Sequence, residues 1–293
     1  MNGVVLIDKP AGCTSHDIVN RWRRLAGTKR TGHLGTLDPM ATGLLALVTG
    51  TATRLARFFE KEDKTYVAEI RFGVVSDTYD ADGEVRDTGA ALAAEASAIA
   101  EALQCFQGRF QQTPTPVSAK KVQGVPAYKL ARKDISVELA PVEVEVKGLD
   151  IQSISPEKLC ITATVSSGTY MRSVAHELGQ RLGCGAILSG LRRTQIGGFR
   201  VERAKTLEQL QELASAGRLR EAVVPAAELL PQFPIEYVDA ITEAQIRQGR
   251  DFRTSPFVVR SGAPFVKAVS QSGELIAIGE LRVPNLYHPI TVL

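Results

Sequence analysis

The residues best suited to chemistry lie in a glycine-rich segment, residues 32–45. It carries two ionisable side chains, His33 and Asp38, directly before an apolar run that predicts a buried strand. Pro39 fixes its own φ and restricts the preceding Asp38 to extended conformations. A carboxylate held in this way at the edge of a sheet is suited to acid–base or nucleophilic catalysis. An Asp-Pro turn flanked by glycines is the alternative that the local pattern leaves open.

Two further residues stand out by their positions in predicted elements. Arg172 falls in the first turn of a helix predicted over residues 169–182, where the helix dipole disfavours a cation. Pairing with a buried carboxylate would explain this arginine, although an exposed arginine fits the spacing equally well. Tyr66 lies on the inward face of a strand predicted over residues 65–72, which suits either a core tyrosine or a platform on which a base stacks.

The charge distribution is consistent with a polyanionic partner. The net charge is +3 and the isoelectric point is about 8.7, so the protein is only mildly basic. Its cations nevertheless cluster, as expected for a protein that contacts nucleic-acid phosphates, although solvated helix faces produce the same pattern. The three clusters are Arg21, Arg23, Arg24, Lys29 and Arg30; Lys120, Lys121, Lys129, Arg132 and Lys133; and Arg192 with Arg193.

Several classes of protein are disfavoured by the sequence. The four cysteines are scattered without a CxxC pair, which argues against a zinc site and against a disulfide framework. The acidic turn at Asp77, Asp80 and Asp82 lacks the ligand pattern of an EF-hand, so no metal is expected there. The N-terminus does not resemble a signal peptide, and no stretch approaches the ~20 apolar residues that span a membrane. These features predict a cytoplasmic protein without a metal or a cofactor.

The order of elements predicts an α+β fold with a large mixed, mostly antiparallel sheet flanked by helices. Alternating polarity, as in residues 65–72, is typical of antiparallel strands with one covered face. Helices are predicted from about Thr14 to Gly27, over residues 51–60 and over residues 88–106. Prolines near residue 231 mark a linker to a small β-rich module, so the predicted domains are residues 1–230 and 231–293.

Taken together, these stretches resemble the TruB family of pseudouridine synthases. The similarity extends over roughly residues 1–200 and consists of several motifs in the family's order, which makes chance agreement very improbable. The motifs begin at Lys9, Gly32, Lys64, Asp77, Gln112, Ser167 and Leu191. The C-terminal segment is similar, more loosely, to the PUA-like RNA-binding domain that many members carry.

The resemblance implies an enzyme that converts uridine to pseudouridine at position 55 in the T loop of tRNA, as a monomer and without a cofactor. It implies that Asp38 is the catalytic aspartate, that Arg172 is its ion-pair partner and that Tyr66 stacks on the target base. It further implies that His33, Tyr170 and Leu191 contact the flipped nucleotide and that Lys9 supports the site. Asp80 and Lys120 would help to order the loops around the RNA.

One departure from the family pattern affects Lys120. Val117 stands where the family usually has an aromatic residue, and either Lys120 or Lys121 matches the family's lysine. Two other functions also remain open from the sequence. An RNA-binding or tRNA-folding module with secondary catalysis would use the same basic clusters. A glycoside hydrolase or nucleosidase would need a second carboxylate beside Asp38, and the sequence shows no obvious one.

Overall fold

The computed structural model describes residues 1–90, 95–115, 121–122, 125–126, 140–255, 257 and 262–293. Its helices are α1 Ser15–Ala26, α2 Ala96–Gln104, α3 Met171–Arg181, α4 Leu207–Ser215 and α5 Ala240–Arg247, with 3-10 helices at Gly50–Phe58, Val201–Arg203, Leu219–Ala222 and Ala226–Glu228. Its strands are β1 Gly3–Lys9, β2 Thr31–His33, β3 Thr42–Thr49, β4 Lys64–Phe72, β5 Val74–Val75, β6 Arg86–Asp87, β7 Gly108–Gln112, β8 Lys121–Val122, β9 Val125–Pro126, β10 Val142–Ile154, β11 Lys158–Val165, β12 Ala186–Ile196, β13 Phe199–Arg200, β14 Val223–Pro225, β15 Ile235–Val238, β16 Phe252–Arg253, β17 Phe265–Ser270, β18 Leu275–Val283 and β19 Leu286–Val292.

A ten-stranded sheet forms the centre of the protein, with strands in the order β14-β1-β3-β12-β4-β11-β10-β7 and with β2 and β13 paired beside β3 and β12. Strands β3 and β12 run parallel, whereas the other pairs of this sheet are antiparallel. The predicted α+β class with a mixed, mostly antiparallel sheet is therefore confirmed. The parallel pair matters for the site, because it brings the start of β3 beside residues 192 and 193 of β12.

Local sequence signals account for the elements nearest the site. Helix α1 begins after Thr14, whose side chain and that of Asp17 form a reciprocal capping box, and it ends at Gly27 in the left-handed conformation. Strand β4 alternates as predicted, with Tyr66 and every second residue after it buried. The predicted helix over residues 51–60 is a 3-10 helix, Gly50–Phe58, in which Leu55 is buried.

The helix predicted over residues 88–106 is wrong in its first part. Helix α2 begins only at Ala96, and residues 91–94 lie outside the described chain. Thr88 instead donates its backbone N–H to Gly73 O at 3.0 Å, and its hydroxyl donates to Cys184 O at 2.8 Å. These contacts hold Thr88 in the extended segment that follows β6, beside the residues that follow β4 and precede β12.

The two faces of the large sheet are covered differently. On one face, α1 and α3 bury a core that includes Trp22, Ile70 and Leu178. On the other face, residues of β1 and β3 share a core with the 3-10 helix Gly50–Phe58 and with residues of the C-terminal sheet, including Val269 and Ile278. This shared core means that the two sheets stabilise one another.

The C-terminal segment forms a five-stranded sheet in the order β15-β17-β18-β19-β16, which confirms the predicted β-rich module. Strand β17 and residues 275–279 of β18 are buried almost continuously because one face meets the shared core and the other forms a small core around Phe252 and Tyr287. Lys267 is buried and donates to Ala227 O and Leu229 O, both at 2.9 Å, which fastens the sheet to the preceding linker. No helix in the described ranges is long and apolar enough to cross a membrane.

Candidate active site

The segment that carries Asp38 turns sharply between β2 and β3. Ala41 donates its backbone N–H to Asp38 O at 3.1 Å, which closes the turn predicted from Asp38 and Pro39. Gly43 at the start of β3 has a φ of +94°, and a Cβ there would lie 2.3 Å from Arg193 O. Glycine is required at this point because the backbones of β3 and β12 approach too closely for any side chain.

Asp38 and Arg172 form a bidentate ion pair although they are distant in sequence. Arg172 Nε lies 3.0 Å from Asp38 Oδ2, and Arg172 Nη2 donates to Asp38 Oδ1 at 3.1 Å. The Arg172 side chain retains 7% of its exposure, whereas the Asp38 side chain retains 33%. The arginine is therefore packed inside the protein and holds a carboxylate that solvent or a substrate can still reach.

Arg172 also holds a second carboxylate, that of Asp80. Arg172 Nη1 lies 3.5 Å from Asp80 Oδ2, and the Asp80 side chain retains 5% of its exposure. The other oxygen of Asp80 accepts from Thr78 Oγ1 at 2.6 Å and from the backbone N–H of Asp82 at 3.1 Å. The fold thus brings acidic residues next to Asp38 that the sequence did not reveal as neighbours.

The charges around Asp38 act on its pKa in opposite directions. Burial raises the pKa of Asp38, and the guanidinium of Arg172 is the strongest influence that lowers it. The carboxylates of Asp80 and Asp82 raise the pKa of Asp38 again, while the ammonium of Lys9 lowers it. The net result is a pKa above the ordinary aspartate value, so Asp38 is a stronger base than an exposed aspartate.

Two buried cations hold the backbone of the Asp38 segment. Lys9 Nζ donates to Pro39 O at 3.1 Å and to Ala41 O. Arg193 donates from Nε to Leu44 O at 2.8 Å and from Nη2 to Gly35 O at 3.0 Å. The cations occupy both sides of the turn and satisfy carbonyls that the irregular backbone leaves without strand partners. Lys9 thus contacts the backbone on both sides of Met40, and its support of the site stays a prediction.

The pair Arg192 and Arg193 does not form the exposed basic cluster that the sequence suggested. Arg193 is 1% exposed, and Arg192 donates to both carboxylate oxygens of Asp8 at 3.0 and 2.8 Å. Adjacent residues of a strand point to opposite faces, so one arginine enters the core and the other forms a surface ion pair. Sequence reasoning missed the structural role of Arg193, because nothing local distinguishes a buried arginine from an exposed one.

The sequence around this site matches two family models. One, described as TruB family pseudouridylate synthase (N terminal domain), matches residues 23–171, and the other, described as tRNA pseudouridylate synthase B C-terminal domain, matches residues 172–231. The "tRNA pseudouridine synthase B" of Solibacter usitatus is 52% identical over 293 residues, which is 100% of both chains. The chain belongs to the TruB family of pseudouridylate synthases.

More distant relatives and solved structures agree with this membership. The "tRNA pseudouridine synthase B" of Aquifex aeolicus is 38% identical over 284 residues, or 96% of each chain. The crystal structure of the archaeal box H/ACA sRNP Nop10-Cbf5 complex aligns with 99% of this chain and 86% of its own chain, with a TM-score of 0.70 and 22% identity. At that identity the alignment demonstrates a shared fold.

Three of the predicted substrate contacts lie in or beside the core of this TruB family chain. Tyr66 is 8% exposed and belongs to the same core cluster as Leu37, which precedes Asp38, and Leu191 packs partly buried against that cluster. Tyr170 immediately precedes α3, and its backbone N–H donates to the side chain of Gln112 at 2.8 Å. Their roles in binding a nucleotide remain predictions.

His33 lies at the end of β2, directly before the segment that carries Asp38. Burial lowers its pKa, and the positive charges of Arg193 and His16 lower it further, so the neutral imidazole is favoured. Its Nδ1 is buried and has no hydrogen-bond partner within the described part of the chain. Lys120, the remaining predicted contact, lies outside the described residues.

A further residue of the site went unrecognised in the sequence. Gln112 is fully buried, and its side chain accepts from Tyr170 N and donates to Tyr170 O at 3.1 Å, which fixes the backbone directly before Arg172. The sequence offered one signal for Gln112, namely that it begins one of the motifs that resemble the family. Among the described residues, no group of three or more His, Cys, Asp or Glu side chains is arranged to hold a metal ion.

Proposed function

We propose that this chain isomerises uridine to pseudouridine at position 55 in the T loop of tRNA. The observation that carries the proposal is the ion pair between the buried Arg172 and Asp38, whose carboxylate is one-third exposed on a glycine-bearing turn, in a chain of the TruB family. A relative that is 52% identical over its full length bears the name tRNA pseudouridine synthase B, which supports tRNA as the substrate.

The reaction needs an ionised carboxylate within reach of the ribose. The bond between N1 of uracil and C1′ breaks, the uracil turns, and a bond between C5 and C1′ forms, after which C5 loses its proton. Asp38 either attacks C1′ as a nucleophile or removes a proton from the sugar to give a glycal. The bidentate contact with Arg172 keeps the carboxylate ionised and oriented for either route.

The target base has to leave the folded T loop before it reaches Asp38. In the proposal Tyr66 stacks on the extruded uracil, while Tyr170 and Leu191 contact the flipped nucleotide. His33 occupies the space that the base vacates. A neutral imidazole whose buried Nδ1 has no partner among the described residues suits this role, because RNA groups then supply the hydrogen bond.

Exposed cations beside the catalytic segment suit the phosphate backbone of the RNA. A depression of about 680 Å³ runs along α1 and is lined by Gly12, Cys13, Asp17, Asn20, Arg21, Arg23 and Arg24. Gly12 donates its N–H to Pro39 O at 2.9 Å, so the depression adjoins the turn that carries Asp38. RNA bound here would have its phosphates neutralised within a short distance of the catalytic carboxylate. Residues 231–293 are proposed to add further affinity as a separate RNA-binding domain.

The structure bears on the hydrolase alternative. A glycoside hydrolase or nucleosidase needs two carboxylates that can exchange protons with the substrate or water. Asp80 is close to Asp38, but both of its oxygens are engaged, by Arg172, Thr78 Oγ1 and Asp82 N, and its side chain retains 5% of its exposure. Asp80 is therefore placed to hold Arg172 and the loop, and it is not accessible as an acid or base.

The proposal is tested with tRNA labelled with tritium at C5 of uridine. Pseudouridine formation releases the label into water, whereas hydrolysis releases free uracil and simple binding releases nothing. A transcript with cytidine at position 55 is the matched control and should release no label above background. Release from both transcripts would contradict the assigned position, and free uracil or no release from the uridine transcript would contradict the proposed reaction.

A further inference from the structure

Helix α3 contacts the Asp80 loop, residues 76–82, with two side chains and not only with Arg172. His176 lies one helical turn after Arg172 and therefore projects from the same face. Its imidazole stacks on the ring of Tyr79, with ring centroids 3.7 Å apart and an angle of 8° between the planes. The contact is nearly parallel and much closer than the usual 4.5–7 Å of aromatic pairs, so the two rings pack in full contact.

Tyr79 is held between two residues that Arg172 binds. Arg172 Nη1 donates to Thr78 O at 3.4 Å and lies 3.5 Å from Asp80 Oδ2. Three consecutive residues of the loop thus meet α3, with the aromatic contact in the middle and a polar contact on each side. A shift of Tyr79 along the helix would carry both partners of Arg172 with it.

The backbone of Tyr79 adopts a conformation that needs external support. Its φ is +65°, in the left-handed region that non-glycine residues seldom occupy. Leu188 of β12 donates its N–H to Tyr79 O at 3.0 Å, so the loop is fixed to the sheet on one side and to α3 on the other. This unusual φ directs the Tyr79 ring onto His176 while leaving Asp80 beneath Arg172.

The imidazole in this contact is the neutral form. The amide nitrogen of Gln180 lies 2.9 Å from His176 Nε2, and since an amide nitrogen only donates, Nε2 accepts. Burial also lowers the pKa of His176, which agrees with this assignment. His176 therefore adds no positive charge near Arg172, and the stacked rings of Tyr79 and His176 act through their packing.

We propose that Tyr79 and His176 are positioning residues for Asp38, which act by holding Arg172 between the carboxylates of Asp38 and Asp80. The inference rests on the proposed function. Arg172 binds both carboxylates, so the position of the Asp80 loop decides how the guanidinium faces Asp38. The loop also contacts the segment that carries Asp38, because Met40 N donates to Asp82 Oδ2 at 3.1 Å. A displacement of the loop would therefore change the position of Arg172 and of the backbone that follows Asp38.

The variants Tyr79→Phe, Tyr79→Asn and His176→Ala separate the ring contact from other roles. Phenylalanine keeps the ring, whereas asparagine removes it but tolerates a positive φ. Alanine removes the second ring and favours the helix. The single-turnover rate at saturating enzyme, the dissociation constant for tRNA and the pH profile of the rate are measured for each variant and for the double variant Tyr79→Asn/His176→Ala.

We expect Tyr79→Asn and His176→Ala each to lower the saturating rate about 10-fold, with tRNA affinity within about 2-fold, because misplacement of a catalytic group mainly affects the chemical step. Asp38 faces Arg172, Asp80, Asp82 and Lys9, and a looser Arg172 raises the pKa of Asp38, so the acid limb should move to higher pH. Tyr79→Phe should keep the wild-type rate and profile. The double variant should resemble the single ones, because the two rings form one contact.

Wild-type rates in both Tyr79→Asn and His176→Ala would overturn the inference. A loss of rate in Tyr79→Phe equal to that in Tyr79→Asn would also overturn it, because the effect would then belong to the hydroxyl group. An altered dissociation constant with an unchanged saturating rate would also overturn it. If Tyr79→Asn does not fold, His176→Ala decides alone, since that side chain is half-buried on a helix. An inactive wild-type protein would instead contradict the proposed function, so the two failures are distinguishable.

Discussion

Arg172 binds Asp38 through two nearly equal contacts, Nε to Oδ2 at 3.0 Å and Nη2 to Oδ1 at 3.1 Å. The bidentate geometry orients both carboxylate oxygens, which an ammonium group could not do. The arginine comes from the first turn of α3, where the helix dipole disfavours a cation. Two carboxylates, those of Asp38 and Asp80, compensate for this unfavourable position.

Asp38→Asn should abolish the reaction and preserve binding. Asparagine retains the shape of the side chain and the local hydrogen bonds of the turn, but it cannot attack C1′ or accept a proton. We expect the single-turnover rate to fall by roughly 10³-fold or more, which is the scale on which acid–base and nucleophilic groups contribute. A filter-binding isotherm on the same preparation should give tRNA affinity within a few-fold of wild type, because phosphate contacts elsewhere supply it.

Retained activity in Asp38→Asn would remove Asp38 from the catalytic assignment and leave the Asp-Pro turn as its only role. Joint loss of activity and binding would indicate that the charge holds the segment together. The melting temperature of each preparation is the control that separates this outcome from global unfolding.

Asp80→Asn should shift the pH dependence of the reaction to lower pH. The reaction needs ionised Asp38, so the rate falls as the pH drops through the pKa of that carboxyl. The negative charge of Asp80 raises this pKa, and its removal therefore lowers it. The measurement is the acid limb of the single-turnover rate.

Asp77→Asn is the matched control for this shift. It removes the same charge from the same loop, but Asp77 is exposed and its side chain accepts a local bond from Glu84 N at 2.9 Å. Its acid limb should coincide with that of wild type. A limb that stays in place or moves to higher pH in Asp80→Asn would show that Asp80 does not raise the pKa of Asp38.

Tyr66→Leu should impair turnover more than binding. A stacked base contributes about 1–3 kcal/mol, a minor share of an affinity that rests on phosphate contacts. Tyr66 is 8% exposed within the core, so truncation of the ring also costs stability, and Tyr66→Phe is needed as the variant that preserves packing. Rate and affinity are compared for both variants after folding is verified by circular dichroism.

A Tyr66→Leu protein that folds and reacts at the wild-type rate would return Tyr66 to a purely structural role. If Tyr66→Phe loses the reaction as fully as Tyr66→Leu, the hydroxyl group is the important feature and stacking is not.

Charge reversal in the C-terminal sheet should weaken binding without changing chemistry. Arg250 and Arg282 are exposed, and each residue of the Asp38 site lies outside residues 231–293. The double variant Arg250→Glu/Arg282→Glu should raise the dissociation constant for tRNA and reduce its salt dependence, with the saturating single-turnover rate unchanged. A reduced saturating rate in this variant would contradict the division of labour between the two predicted domains.

Point substitutions are preferable here to removal of residues 231–293. Val269 and Ile278 of the C-terminal sheet pack in the same core as Leu6 and Val48 of the large sheet, so truncation would uncover a buried apolar face. The truncated protein should aggregate or melt at lower temperature for that reason alone.

The local elements and the family could be predicted from the sequence because they rest on short-range signals. Thr14 and Gly27 mark the ends of α1, alternation defines β4, and the motif around Asp38 is specific enough to assign the TruB family. The α-helix predicted over residues 88–106 was too long, because Thr88 bonds to Gly73 and Cys184, which lie in connections far from it in sequence. Such contacts are invisible to any local pattern.

What the sequence by itself determined is membership of the TruB family and the expectation, which the structure confirms, that Asp38 and Arg172 pair. Only the tertiary structure decided how the pair is supported. Arg193 enters the core to hold the segment while its neighbour Arg192 binds Asp8 at the surface, and Asp80 joins Arg172 from a separate loop. The physical reason is that burial and charge pairing are set by which strands become neighbours, here the parallel pair of β3 and β12, and neighbours in a sheet can be any distance apart along the chain.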